Sequence, residues 1–197
     1  MKLCCAAIIV SCFFCNAAAK ETPTDEPRYT AHKVTKPPAI DGIFNKDEWG
    51  MAPPTNKFTQ YEPNSGQPAT QKSEIRIVYD EQNLYVCAQL YDTEPEKIAG
   101  QLFRRDGDDY SDWFEVSIDS YGDQRTAFVF GINPRGVKRD ILFYNDDEED
   151  SGWDAVWEGA AQINGHGWTA EFRIPFSQLR YDGTRQEQNW GLQFWRY

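Results

Sequence analysis

The chain has 197 residues, a formal charge of −11 and an aromatic content of 15%. That length holds one domain with a real core rather than two. The acidic balance excludes a broad basic face for nucleic acid or anionic lipid, so no nucleic-acid partner is expected.

The chain opens with Lys2, an apolar run over residues 3–14 and the small residues Ala17, Ala18 and Ala19. The run is too short to span a bilayer and has the length of a signal-peptide core. Residues 1–19 are read as a signal peptide cleaved after Ala19, which implies a secreted protein. Cys4, Cys5, Cys12 and Cys15 lie in this segment. Cys87 is then the one cysteine left, which excludes an internal disulfide and a cysteine zinc site and suggests a small buried residue on a strand. Residues 20–28 are polar, carry two prolines and read as a flexible leader; residues 29–197 form the domain.

Period-two alternation predicts short strands separated by Gly, Pro, Asn and Asp. The first is weak, over 29–34. Ile40-Asp41-Gly42 is a turn, and Asn45 caps one helical turn ending at Trp49. Residues 60–70 read as a surface loop. Strands follow over 74–79 and 84–91, joined by a hairpin link of Asp80 to Asn83, and then over 113–119, 126–132, 137–144, 155–163, 168–174 and 190–197. Asn133-Pro134-Arg135-Gly136 and Asn164-Gly165 mark turns. Eight or nine strands without a long amphipathic helix give an all-β fold, an antiparallel β-sandwich or jelly roll. The alternation Trp190, Leu192, Phe194 against Gln193, Trp195, Tyr197 is still running at the last residue, so the fold is expected to be truncated at the C-terminus.

Asp106, Asp108, Asp109 and Asp112 fall within seven positions, interrupted by Gly107 and Ser111. Such a loop supplies oxygens for a hard cation, and structural calcium is the expected cofactor, although the spacing is not that of an EF-hand. The run from Asp146 to Asp150 reads as a solvated loop. Asp112 and Glu115 have an odd offset and fall on opposite faces of a strand, so they do not form a catalytic carboxylate pair. His32 and His166 stand in no recognisable triad. With no nucleophile, base or metal set, no catalytic residue is assigned and a hydrolase activity is expected only in an attached domain.

Trp168 and Trp190 alternate with apolar partners and read as core. Trp113 points away from Phe114 and Val116 and shares its face with Glu115, Ser117 and Asp119. An indole beside a carboxylate on a polar strand face suits a sugar: a flat apolar plate for the pyranose C–H face and an acceptor for hydroxyls. Arg104 could donate to hydroxyls. Trp153 and Trp157 could line a groove edge.

Several segments, in order, resemble family 9 carbohydrate-binding modules: Ile40-Asp41-Gly42 with Asp47-Glu48-Trp49 and Ala52; Ile77-Val78-Tyr79-Asp80 with Asn83-Leu84-Tyr85-Val86; Asp112 through Asp119; Phe130-Gly131-Ile132-Asn133; and Trp168 through Pro175. The resemblance implies a β-sandwich, often with calcium, that grips a glycan or sugar chain end between two tryptophans. It places Glu115 and Asn133 at polar sugar contacts. Gly131 stands where an arginine contacts sugar in those modules, no tryptophan stands at the first clamp position near Asp109, and the second would lie past Tyr197. Asn133-Pro134-Arg135-Gly136 and the closing Trp-Gly-Leu-Gln-Phe-Trp-Arg-Tyr are more similar to a bacterial branch in which the module precedes an outer-membrane barrel. That implies export to the periplasm, cell surface or outer membrane and a C-terminal barrel as partner. The ligand site expected overall is Trp113, Glu115, Asn133 and Arg104, in a sugar-binding domain tied to polysaccharide catabolism; the other reading is a structural or docking domain that has lost sugar binding.

Overall fold

Strict alternation gives each strand one apolar face, and two sheets bury those faces against each other. The computed structural model describes residues 2–4, 27–107, 109–145 and 148–197. The predicted signal segment and leader thus lie outside the described residues except for 2–4, 27 and 28. The strands are β1 (Lys2–Cys4), β2 (Arg28–Thr30), β3 (His32–Lys33), β4 (Ser73–Tyr79), β5 (Asn83–Tyr91), β6 (Phe114–Asp119), β7 (Ala127–Ile132), β8 (Lys138–Tyr144), β9 (Glu148–Asp150), β10 (Glu158–Asn164), β11 (Gly167–Pro175) and β12 (Gly191–Arg196). A seven-stranded sheet runs β2-β1-β12-β6-β7-β8-β9, and a five-stranded sheet runs β10-β11-β5-β4-β3. Pairing is antiparallel except β1 with β12 and β3 with β4. The all-β sandwich is as expected.

Three local features depart from the sequence expectation. The predicted first strand is two strands in two sheets, with buried Ala31 at the crossing. The acidic run expected as a solvated loop contains β9, which pairs Glu149 with Phe143; Asp146 and Asp147 lie outside the described residues. The strand expected from residue 155 begins at Glu158.

The core between the sheets is built from Ile75, Ile77, Val86, Leu90, Trp168 and Phe172 on one side and Phe114, Val116, Phe130 and Leu192 on the other. Trp190 is also in this core, as its alternation predicts. β5 is apolar along nearly its whole length because both its faces are covered, the pattern of any strand buried twice. Its even residues enter the core, while Tyr85 and Cys87 pack on the other side with Val34, Trp49, Ala52 and Val78. Segment 34–52 forms that cover, and it contains the helical turn α1 (Lys46–Trp49), capped by the Asn45 side chain accepting from the Asp47 N–H at 2.9 Å.

What holds the cover down is Glu171, a fully buried carboxylate on β11. Its Oε2 accepts from the backbone N–H groups of Asp41 (3.0 Å) and Gly42 (2.8 Å), and Oε1 accepts from the Trp49 indole N–H at 2.9 Å. Gly42 has φ +81°, and a Cβ there would sit 2.9 Å from the Ala161 backbone, so only glycine fits the turn. The spaced elements Ile40-Asp41-Gly42 and Trp49 are therefore two halves of one binding site for a carboxylate 122 residues or more away in sequence.

Burial pushes the Glu171 carboxyl up to about 7, against the hydrogen bonds that favour its charged form. Between an ordinary glutamate pKa of about 4.3 and about 7, the folded protein keeps a proton that the unfolded chain releases. This group's contribution to stability is therefore complete below that interval and declines as pH rises through it. The midpoint of thermal unfolding should fall from pH 5 to pH 7.5, and Glu171→Gln should flatten that slope; equal slopes in the two proteins would refute the assignment. Glu171→Ala leaves three buried donors without an acceptor and should cost about 3 kcal/mol or more by denaturant titration.

Candidate functional site

The polar face predicted around Glu115 is the outer face of the seven-stranded sheet. Register places Trp195, Glu115, Gly131 and Arg139 in one row across β12, β6, β7 and β8. Arg139 Nε donates to Glu115 Oε1 in a close ion pair, and Glu115 is 5% exposed. This contact exists because position 131 has no side chain: a Cβ there would meet Arg139 Cγ at 2.9 Å and Glu115 Oε1 at 3.1 Å. The guanidinium missing from residue 131 is thus supplied by the next strand, across the gap that the glycine leaves.

Trp113 lies on this face, as its alternation predicts, and outside the core. It is not an open plate. The Arg139 guanidinium carbon sits 4.1 Å from its ring centroid and Phe103 packs at 5.9 Å, leaving the residue 4% exposed. A cation over an indole face is favourable, more so where water is excluded. The loop before β6 and the long Arg139 side chain cover the ring, which alternation alone does not reveal.

The accessible aromatic surface lies one strand away. Trp195, half-buried, stacks on Tyr197 with ring centroids 6.4 Å apart at 20°, and Tyr61 meets it edge-on at 5.4 Å. Tyr61 is 69% exposed and Tyr197 61%. The 60–70 loop delivers Tyr61; it is closed by the Thr59–Pro68 bridge and by the Gln60 N–H donating to the Gln67 carbonyl at 2.8 Å. Tyr197 turns its hydroxyl toward Glu115. Withdrawal of that group from water, then the charge of Glu115 and the hydrogen bond to it, push the phenol up to about 12. Trp195 and Tyr197 were visible in the sequence as the odd face of the last strand, but nothing local marked that face as the open one. Arg139 and Tyr61 carried no sequence signal.

Asn133 is close by in sequence but fully engaged. It is completely buried, its Nδ2 donates to the Gln101 carbonyl (2.8 Å) and Ser111 Oγ (3.1 Å), and its Oδ1 accepts from the N–H groups of Arg135 and Val137, both at 2.9 Å. Both donors and both lone pairs are used, so it closes the 133–137 turn and leaves nothing for a ligand. Arg104 is exposed, its carbonyl accepts from the Gly107 N–H at 3.1 Å, and no described contact joins its side chain to the Glu115 group.

The acidic loop does not converge on a point. Asp106 Oδ1 accepts from the Asp140 N–H at 3.1 Å, and its Oδ2 lies 3.5 Å from Arg105 Nε. Asp112 is half-buried, Asp109 is exposed and Asp108 lies outside the described residues. Among the described residues no three His, Cys, Asp or Glu side chains are placed to share a metal ion; Asp108, one of the four aspartates expected to hold calcium, is not among them. Arg105, rather than Arg104, makes the ion pairs: it contacts the buried Asp140 and, at 2.8 Å, Asp154. Asp140 also accepts from the Ala155 N–H (2.6 Å) and the Trp157 indole (3.3 Å). That network pins segment 153–157 inward. Trp157 stacks on Phe172 at 5.5 Å, and Trp153 packs on Phe128 at 5.3 Å. Both tryptophans expected at a groove edge are packing residues.

Two stacked, mostly antiparallel sheets with an aromatic and charged outer face define an all-β sandwich by class. Residues 40–197 match the family described as carbohydrate family 9 binding domain-like, and the chain belongs to that family. Among solved structures it is similar to a family 9 carbohydrate-binding module from Caldicellulosiruptor kristjanssonii in complex with glucose (19% identity, TM-score 0.56, covering 84% of this chain and 75% of that one). The same module with cellotriose aligns at 16% identity and TM-score 0.55, covering 83% and 73%. A putative carbohydrate-binding protein from Bacteroides uniformis aligns at 12% and 0.62, covering 84% and 81%. No curated protein sequence matches.

Arg139→Gln should uncover Trp113 and leave Glu115 buried without its cation. We expect a loss of about 2–4 kcal/mol in unfolding free energy together with a red shift of tryptophan emission; an unshifted spectrum would show that the guanidinium does not roof the indole.

Proposed function

We propose that the chain is a secreted, non-catalytic carbohydrate-binding module that holds a neutral glycan on the outer face of the sheet formed by β12, β6, β7 and β8. Trp195 is the stacking plate, flanked by Tyr61 and Tyr197, and Glu115 with Arg139 supplies an acceptor and a donor for hydroxyls at its edge. The observation that carries the reading is the half-buried Trp195 ring, flanked by the exposed Tyr61 and Tyr197, in the same cross-strand row as the Glu115–Arg139 pair. Pyranose rings present apolar C–H faces and hydroxyl rims, and this pairing of a plane with polar groups matches both. Family membership and the sugar complexes of the similar modules support the ligand class. The reading includes export through residues 1–19, to the periplasm or the cell surface, and a role in polysaccharide use.

A second reading has one observation in its favour. Trp113, expected as the stacking plate from its strand face, is roofed, and Asn133, which the family resemblance places at a sugar contact, is saturated. A docking domain that kept the fold would look like this. Calorimetric titration with D-glucose, cellotriose and xylotriose separates the two. The sugar reading expects heat with at least one probe and an affinity lowered at least about tenfold in Trp195→Ala. No heat with any of the three, or an affinity unchanged by that substitution, transfers the case to the docking role.

A further inference from the structure

The opposite side of the sandwich carries a cavity of about 250 Å³ beside the turn that Glu171 holds. Gly42, Ile43 and Phe44 form one wall, and the floor is the outer face of the five-stranded sheet. In register across β10, β11 and β5, that floor presents Gln162, Thr169 and Gln89 in one row, with Asn164 and Tyr91 flanking Gly167 in the next. Gly167 has φ +140°, and a Cβ there would lie 2.0 Å from the Leu90 carbonyl; the glycine is what lets the 164–167 turn lie flat on β5 and bring Asn164 beside Tyr91. In a chain that is 26% charged, no Asp, Glu, Lys or Arg among the described residues lines this cavity.

The amides are oriented. Gln89 Oε1 accepts from Arg76 Nη1 at 2.8 Å, and Asn164 Oδ1 accepts from the His166 N–H at 2.9 Å. A guanidinium and a peptide N–H can only donate, so each amide must give its oxygen to that partner and keep its NH₂ group free. Gln162 is exposed and has no described side-chain partner. The half-buried rings of Phe44 and Tyr91 border the groove, each with a cation over one face, Arg76 at 4.7 Å and Lys72 at 4.8 Å. Past Tyr91 and His166 the surface continues into an open depression of about 770 Å³ bordered by Thr70, Gln71 and Thr93 and by the charged Lys72 and Asp92.

We propose that this groove is a second binding site, for an internal stretch of a neutral oligosaccharide, recognised by the amides of Gln89, Gln162 and Asn164 beside Phe44 and Tyr91. Free NH₂ donors suit the hydroxyl and ring oxygens of a sugar. The cations at its margins, Lys72 and Arg76, are both paired with Glu74, which disfavours phosphate and carboxylate ligands. A peptide strand added at the edge of β10 would lie beside the groove rather than over Thr169 and Gln89. The cavity takes about one sugar ring, and the depression beyond it lets the chain run on rather than end there. The site is independent of the Trp195 face and lies on the other sheet.

Calorimetric titration of the protein with cellohexaose, xylohexaose, mannohexaose and laminarihexaose tests it. With at least one of these probes, Gln162→Ala and the pair Gln89→Ala with Gln162→Ala should weaken one binding event at least about tenfold, while Trp195→Ala leaves that event in place. Melting midpoints of the variants serve as the fold control, and Gln162, being exposed, should not move them. Binding abolished by Trp195→Ala and untouched by the glutamine variants overturns this inference and leaves the proposed function standing. Binding lost in the glutamine variants and untouched by Trp195→Ala does the reverse. No heat from any of the four hexasaccharides overturns both.

Discussion

A single buried carboxylate organises the half of the molecule where the family resemblance begins. Glu171 sits in the middle of a strand whose neighbours are apolar, and it is tolerable there because three donors converge on it. Those donors come from a turn and a tryptophan that have no other reason to be spaced as they are. Remove the acid, and segment 34–52 loses what fixes it across β5. Tyr85, Cys87 and Val78 would then face water. The cost would be paid in core packing as well as in hydrogen bonds.

Strand positions were legible because period-two alternation is a direct readout of two-faced burial, as in β6, where Phe114, Val116 and Ile118 enter the core. The exception on β5 was legible too, since a strand covered twice loses its alternation. The site was legible only in part. Alternation put Trp113 on the outer face beside Glu115, and that is where it is. Whether an outward side chain reaches solvent depends on what crosses over it, and Arg139 and Phe103 come from other segments. The same limit explains Trp153 and Trp157. The strand expected from residue 155 begins only at Glu158, so alternation gave neither a face, and it is Asp140, on another strand, that holds Ala155 and Trp157 inward.

Glycine decides access on both sheets. Gly131 leaves the gap through which one guanidinium reaches an acid, and Gly167 leaves the clearance that lets a turn lie on its neighbour. In each case the missing side chain, rather than any present one, sets the shape available to a ligand. Such positions are silent in a reading that looks for reactive groups. They become informative once register shows which neighbours would collide.

The crossing at Ala31 has a mechanical consequence. A few residues on either side of it, the chain belongs first to one layer and then to the other, and between them Tyr29 sends its hydroxyl to the Pro53 carbonyl (2.8 Å) and receives the Ile77 N–H (3.2 Å). The two layers are therefore laced by one thread. Tension applied ahead of residue 28 would load β2 first, and the Tyr29 hydrogen bonds would have to yield before it reached β3.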